Sequence, residues 1–501
     1  MKSIFELKGN YYQGHFHPIK KIEREISKYS PANLQHHLWD LPISSEHINS
    51  VLESAQYGHE VWRKTPAPQR IERLRNYQSE LLKRSDEIAT AIALETGKPL
   101  SECKIEAQGL ASKVDVTIKD SLHRIENQVI PEIMTGITGH FSYRPLGPIL
   151  IIGPFNFPCH LANGQIVSAL LAGNSIIFKP SEKTAYSPQL MIECLHAAGF
   201  PPGVINLFQG DGALTSELVR SSTVKGIHFT GSKEVGSKIA TSVATHFDKL
   251  LALELGGKNA TIIHHDAPWD HAVAECINSC FLTSGQRCTS TSLIFIHQSK
   301  LLKFQKEFVE VTKKITVGHP IEDHCFMGPL IDDIAEKHYA FYQAKALEEG
   351  AHVLVPAQKL IVKYPGYYWS PSIYLYDFEN KNKSFIKQEI FAPNVTLIPY
   401  VHLEDAINVI NSTEYGLAFA VFTQSRDVAN MCLENVQAGI MNVNRSTVGA
   451  SARLPFGGRK NSGNFRPAGV TMIDSCVQLT STLETMTHCN SHWKTIPGLQ
   501  D

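Results

Sequence analysis

The spacing of apolar positions changes near Arg144, and the change divides the chain. Upstream, apolar residues recur every three or four positions among many charges. In "SSEHINSVLESAQYGHEVWRK", cap-like serines precede Ile48, Val51, Leu52, Ala55 and Tyr57, which a helix brings near one face. "QRIERLRNYQSELLKRSDEIATAIALETG" continues this spacing, and Gly97 predicts where it stops. The first 125 residues therefore read as mostly helical.

Downstream, short apolar runs bounded by Gly or Pro alternate with helical stretches. "GPILIIGP", "NSIIFKPS", "GVINLFQG" and "VKGIHFTGS" read as strands, and "GQIVSALLAG", "SPQLMIECLHAAG", "GALTSELVRSS" and "KEVGSKIATSVATHF" as helices between them. This alternation predicts βαβ units and a parallel sheet. "KLLALELGGKNATIIHH" ends one series and begins another, which runs from about Ala267 to Ala438 and implies a second α/β domain. Two polar, β-prone pieces, 122–143 and 474–486, lie outside both series. They fit strands packed on a partner subunit and surface hairpins on a monomer equally well.

With 501 residues, 43% hydrophobic and 19% charged, the chain suits a multidomain globular enzyme. Its 47 basic and 48 acidic residues nearly cancel and form no basic run, so neither nucleic acid nor anionic lipid is expected as a partner. No apolar stretch reaches the ~18–20 residues that cross a bilayer, and the N-terminus has no secretory core. Ten scattered cysteines without a C-x-x-C pair suggest free thiols and a cytoplasmic location. Cys276 and Cys280 fall at i and i+4 on one predicted helix, and His264 and His265 are adjacent. Neither pair completes a ligand set, so no metal is expected.

The candidate chemistry lies at strand ends. Gly210-Asp211-Gly212 begins a G-x-G-x-x-G fingerprint but Thr215 replaces the third glycine. In "FTGSKEVGSK", a strand leads through Gly231 and Ser232 into a helix, with Gly236 one turn on; such a junction favours a phosphate, or is simply a turn. Lys179 and Glu182 in "FKPSEKT" follow another strand. A carboxylate there accepts from ribose hydroxyls and repels a 2′-phosphate, favouring NAD over NADP, unless the loop is only solvated. Glu254 sits within the apolar "LLALELGG", where a carboxylate needs either a structural partner or a proton-transfer role. Asn156, in the Pro-bounded "GPFNFP", could donate to an oxyanion or close a turn. Cys288, in "FLTSGQRCTSTS", has small polar neighbours unlike those of a core cysteine, although most cysteines are core residues.

"PFNFP", "FKPSE", "FTGS", "LELGGK", "GQRC" and "EIFAP" follow one another in an order that resembles the aldehyde dehydrogenase superfamily, over roughly residues 45–470. The 34 residues from Glu254 to Cys288 also resemble that family's spacing of base and nucleophile. The resemblance implies an α/β fold with a Rossmann-type NAD-binding domain (1–121 and 142–254) and an α/β catalytic domain (255–440). It also implies a return segment lining the site (441–473) and a small β oligomerisation arm (122–141 and 474–490), giving a homodimer or homotetramer. Cys288 is then the nucleophile, Glu254 the general base and Asn156 the oxyanion donor. Lys179 and Glu182 hold the adenosine ribose of NAD, Gly231, Ser232 and Gly236 approach the pyrophosphate, and Glu389 and Phe391 lie at the nicotinamide end.

"GPFNFPCHLANGQIVSALLAGNSIIFKPSE", "FLTSGQRCT" and "ASARLPFGGRKNSGNFRPAG" resemble a bacterial branch of that family acting on a succinylated, dicarboxylic semialdehyde. Cationic side chains are then expected at the substrate entrance, with Arg445, Arg453 and Arg466 as candidates beside their plainer reading as surface arginines. Other acidic semialdehydes, such as succinate or glutamate semialdehyde, are the alternative substrates, and Glu254 argues against transfer to coenzyme A. Three departures stand out: Ala392 where Gly is usual, Lys258 where the branch favours Asn, and Arg445-Ser446-Thr447 in place of Lys-Pro-Leu.

Overall fold

The computed structural model describes residues 3–322, 324–378, 383–485 and 497–498. Its first sheet has seven strands, in the order Leu250–Glu254, Gly226–Thr230, Ile149–Ile152, Ile176–Lys179, Ile205–Leu207, Asn10–Tyr12 and His15–His17. The first five are parallel. The strands Ile149–Ile152 and Ile176–Lys179 are buried throughout, as expected of a parallel sheet covered on both faces by helices. Strand order reverses between Ile149–Ile152 and Gly226–Thr230, so their carboxyl ends flank a topological switch point, where such sheets bind ligands.

The second sheet runs His352–Val355, Ser372–Leu375, Asn394–Tyr400, Thr291–His297, Asn259–Ile263, Ala418–Phe422 and Ile440–Val443. Only its first strand is antiparallel to its neighbour. Glu254 ends a strand of the first sheet and Asn259 begins one of the second, so the segment between them joins the two layers directly. A third sheet pairs Ile137–Pro145 with Gln128–Met134 on one side and Val477–Glu484 on the other, bringing together the two outlying β-prone pieces. Residues 486–490 of the expected arm, with Cys489, lie outside the described residues.

Two local features differ from the helical reading of the N-terminal region. Residues 10–43 form strands: two short ones extend the first sheet, and Arg24–Ser30 pairs with Asn33–Ile43. The alternating "REISKYS" and "NLQHHLWDLPI" carry a two-residue period that the helical spacing downstream obscures. Helix Ile48–Trp62 buries Ile48, Val51, Leu52 and Ala55, but Tyr57 faces solvent. It stands two positions beyond Ala55, on the opposite side of a 3.6-residue helix. The charged stretch after it forms two helices, Ala67–Lys83 and Ser85–Thr96, separated at Arg84.

Gly97 caps the second of these with φ of 78°. A Cβ there would lie 2.5 Å from Pro329 Cγ. Gly97→Ala is predicted to destabilise the fold by about 1–3 kcal/mol, from backbone strain with the contact added. Chemical denaturation checks this; an unchanged midpoint contradicts it.

Candidate active site

Between the carboxyl ends of the first sheet and the amino ends of the second lies a cavity of about 1550 Å³. Its wall includes Asn156, Lys179, Glu182, Gly231, Ser232 and Glu254 from the first layer, and Cys288, Glu389 and Phe391 from the second. Residues separated by up to 235 positions (156 to 391) thus meet at one site because both sheets end there.

The loop carrying Cys288 is strained. Thr283, Ser284 and Gly285 have φ of 56°, 55° and 69°, so two non-glycine residues occupy the left-handed region. Each such residue costs about 1–3 kcal/mol, which surrounding contacts must offset. Glu102 accepts from Thr283 N (3.1 Å) and Oγ1 (2.6 Å), and from Arg287. Ser284 Oγ donates to Gly328 O at 2.7 Å, and Gln286 Oε1 accepts from Ile331 N at 3.0 Å. Gly285 is required for space as well as for φ, since a Cβ would fall 2.3 Å from the Ala392 carbonyl oxygen. Beyond the loop, Asn259 Nδ2 donates to the carbonyls of Cys288 (2.7 Å) and Ser290 (2.9 Å). Within the hydroxyl-rich "TSTS", Thr291 Oγ1 lies 2.9 Å from both Thr261 Oγ1 and Thr447 Oγ1, and Thr447 Oγ1 donates to Thr289 O at 2.7 Å.

Cys288 is half-buried. Burial first, then the neighbouring carboxylates of Glu389 and Glu254, push its thiol up to about 12, against the smaller opposing pull of Arg287. The surroundings therefore keep the resting thiol protonated, rather than activating it as its polar neighbours suggest. Glu254 is buried too, and burial raises its carboxyl well above the usual carboxylate range, opposed by the backbone N–H of Ala468. Among the described residues its Oε2 has no hydrogen-bond partner. Gly457 leaves the carboxyl room, since a Cβ there would come 3.1 Å from Oε1.

Asn156 Nδ2 donates to Gln286 O at 2.9 Å, tying its loop to the cysteine loop and leaving one amide hydrogen for another acceptor. Lys98 Nζ donates to Asn156 O at 3.1 Å and stands over the Phe157 ring. Lys98 is itself paired with buried Glu106, which accepts the N–H groups of Cys159 and His160. Sequence reasoning missed Lys98, Glu102, Glu106 and Asn259. Their one local signal is a polar residue at a position that burial would make apolar.

The opposite end of the cavity suits a dinucleotide. Ser232 caps helix Lys233–Val243 through Val235 N at 3.3 Å, and Asp211 caps Gly212–Arg220, so two helix N-termini border one cavity. Lys179 Nζ donates to Glu182 Oε2 at 3.1 Å. Burial opposes ionisation of Glu182, but Lys179, the backbone and Lys183 outweigh it and hold its carboxyl below the usual range. Glu389 Oε1 accepts from Gly257 N at 2.9 Å, and burial raises its carboxyl to about 7 against Gly257 and Lys258. Gly256 is needed for this approach, because a Cβ there would lie 2.0 Å from Glu389 Oε2. Donors for phosphates and acceptors for ribose hydroxyls are thus present along one cavity, which fits a nicotinamide dinucleotide.

Several expected residues lie elsewhere. Gly236 is not part of the cavity wall; a Cβ there would meet Leu255 at 2.6 Å, so the glycine lets the helix pack on the adjoining chain. Arg445, Arg453 and Arg466 are all exposed and none lines the cavity. Arg453 Nε donates to Asp120 Oδ2 at 2.8 Å, and Arg466 Nη1 to Phe465 O at 3.3 Å. Guanidinium groups that stay hydrated avoid a desolvation cost, which local sequence cannot foretell. Ala392 stands outside the left-handed region while Phe391, with φ of 57°, occupies it, so glycine is not required at 392. Lys258 is buried and donates to Phe385 O at 3.1 Å, with burial lowering its pKa to about 7 against the attraction of Glu389. His264, His265 and Asp266 cluster after strand Asn259–Ile263, with Asp266 accepting from Thr423 Oγ1 and Gln424 N.

Residues 19–482 match the aldehyde dehydrogenase family. The chain belongs to this family. Among curated relatives, it is 32% identical over 484 residues to N-succinylglutamate 5-semialdehyde dehydrogenase of Legionella pneumophila (strain Corby), covering 96% of each chain. It is 33% identical over 451 residues to the enzyme of that name from Vibrio cholerae serotype O1, covering 89% of this chain and 91% of the relative. Among solved structures, a betaine aldehyde dehydrogenase variant from Staphylococcus aureus, determined with NAD+, superposes with a TM-score of 0.90 at 25% identity over 98% of both chains. An NADP-dependent enzyme from E. coli gives 0.89 at 27% identity, covering 96% of this chain and 98% of that one. The protein is therefore an aldehyde dehydrogenase, and its two parallel-dominated sheets are the family's Rossmann-like and catalytic layers.

The raised thiol pKa makes the resting aldehyde dehydrogenase slow to alkylate at Cys288. Its thiolate fraction, and hence the iodoacetamide alkylation rate at Cys288, is predicted to climb about tenfold per pH unit from 7 to 9. Peptide mapping with time checks this, and a rate that levels off below pH 8 contradicts it.

Proposed function

We propose that the protein oxidises N-succinylglutamate 5-semialdehyde to N-succinylglutamate with NAD, and releases the acid by hydrolysis rather than to coenzyme A. The observation that carries the hydrolytic reading is Glu254: a buried carboxyl with one unpartnered oxygen, in the same cavity as Cys288 and Asn156. The names borne by the Legionella and Vibrio relatives support the substrate.

In this reading the Cys288 thiol gives up its proton to water as its sulfur adds to the aldehyde carbon. The second amide hydrogen of Asn156 and the N–H of Cys288 donate to the oxyanion that forms, and removing such a donor costs on the order of 10²–10³ in rate. Lys179, Glu182, Gly231, Ser232 and Glu389 would hold the nicotinamide dinucleotide, which would supply the acceptor for the hydride that the aldehyde carbon loses. An acyl thioester is left on Cys288. Ionised Glu254 takes a proton from water, which attacks the thioester carbon and frees both the acid and the thiol. Glu182 favours NAD over NADP because a 2′-phosphate would meet a like charge.

We also infer assembly through the third sheet, where Val129, Ile130, Ile133, Met134, Leu479 and Leu483 are all exposed. Apolar side chains grouped at a sheet surface suit burial by a second copy, as a dimer or a tetramer. The free thiols Cys103, Cys159, Cys194, Cys276, Cys280, Cys432 and Cys476 suit a reducing cytoplasm.

Turnover without coenzyme A, across succinylated, succinate and glutamate semialdehydes and simple aliphatic aldehydes, tests the substrate assignment. The highest kcat/KM is expected for the succinylated compound with NAD; equal efficiency on aliphatic aldehydes or with NADP contradicts the assignment. Hydrolysis requires ionised Glu254, so turnover is predicted to rise with pH on a limb above the usual carboxylate range. Glu254→Gln is predicted to remove that limb and lower steady-state turnover by about 10² or more. A pH–rate profile unchanged by the substitution contradicts the role.

A further inference from the structure

One helix, Leu100–Val116, sends three charged side chains into three separate loops of the site. Glu102 holds the loop before Cys288 through Thr283 and Arg287. One turn on, Glu106 accepts the N–H of Cys159 (3.3 Å) and of His160 (3.1 Å), immediately after the Asn156 loop, and pairs with Lys98, which also holds the Asn156 carbonyl. Two turns further, Lys113 Nζ donates to Gly469 O at 2.9 Å, next to Ala468, whose N–H bonds the Glu254 carboxyl. Spacings of four and seven residues place the three side chains within roughly 40° of one another around the helix. Between them, Gly109 leaves room for His160, whose Nδ1 would lie 3.0 Å from an added Cβ.

Burying such charges costs free energy that apolar packing of the same helix avoids. Glu106 and Lys113 are nonetheless 3% and 4% exposed, and each bonds to a distant segment, the helix start that follows the Asn156 loop and the Gly469 carbonyl, rather than to its own helix. We infer that Glu102, Glu106 and Lys113 are positioning residues, each setting one catalytic loop from a shared rigid element. Each substitution then slows the step its loop serves: Glu102 the attack of Cys288, Glu106 the stabilisation of the oxyanion, Lys113 the hydrolysis directed by Glu254. The inference rests on the roles proposed above for those three groups.

The experiment compares the NADH burst with steady-state turnover, using full-length wild type, E102Q and K113M with NAD and the succinylated semialdehyde. E102Q is expected to slow the burst roughly tenfold or more, as misplacement of a reacting group does, and to change the pH dependence of Cys288 alkylation. K113M is expected to keep the burst rate while slowing steady-state turnover by roughly tenfold and shifting the acidic limb of its pH profile. K113R, which can still reach the Gly469 carbonyl, is expected to restore most of the loss. If E102Q does not fold, Thr283→Val removes the same contact from the loop side and is expected to slow the burst selectively. Equal depression of burst and steady state in both variants, or no change in either, overturns the inference. An NADH burst from C288S, or a wild-type requirement for coenzyme A, instead overturns the reading of the site on which it rests.

Discussion

A carboxyl group buried without a charge partner, at the point where one sheet hands the chain to another, is the constraint around which the site is built. Glu254 ends a strand of the first sheet, and Asn259 opens a strand of the second. Because the connection is so short, the backbone of Glu254 is fixed by both layers. Burial raises its carboxyl well above the usual carboxylate range, and burial likewise pushes the Cys288 thiol up to about 12. In the roles proposed for them both groups must lose a proton, and burial opposes that loss at each.

The loop carrying Cys288 shows the complementary device. Its left-handed residues are unfavourable by themselves, and contacts from distant segments hold them in place. Glu102, Gly328 and Ile331 supply hydrogen bonds, and the Ala392 carbonyl occupies the space that a side chain at 285 would need. Strain at one loop is thus matched by order in several others, and the geometry of Cys288 belongs to the whole junction. Asn259 extends the same logic, since one side-chain amide holds the Cys288 and Ser290 carbonyls and accepts from Ala418 N at 2.9 Å.

Much of this arrangement was legible in the sequence because its chemistry sits at strand ends, where Gly and Pro mark the turns. Asn156, Lys179, Glu182, Gly231, Ser232 and Glu254 all end or follow recognisable strands, and the structure collects them around one cavity. Glu389 and Phe391 were reachable only through family resemblance, since nothing local distinguishes them. The N-terminal strands escaped because two of them are only three residues long and the two-residue period of the other two is obscured by the helical spacing downstream. Arg445, Arg453 and Arg466 are exposed and outside the cavity wall; charge and proximity in sequence do not reveal which face of a loop meets water. Lys98, Glu102, Glu106 and Lys113 were invisible for a different reason: their partners lie far along the chain, as with Lys113 and Gly469, 356 residues apart. A charged residue on a helix looks solvated until the loop that buries it is known.

The central claim is that the acyl group passes through Cys288 and leaves it by water that Glu254 activates. Intact-protein and peptide mass spectrometry of Glu254→Gln, quenched after mixing with NAD and the succinylated semialdehyde, tests this most directly. The account predicts an accumulated acyl adduct of the substrate's mass on the peptide bearing Cys288, with little adduct on wild type. No adduct, or an adduct on another cysteine, contradicts it.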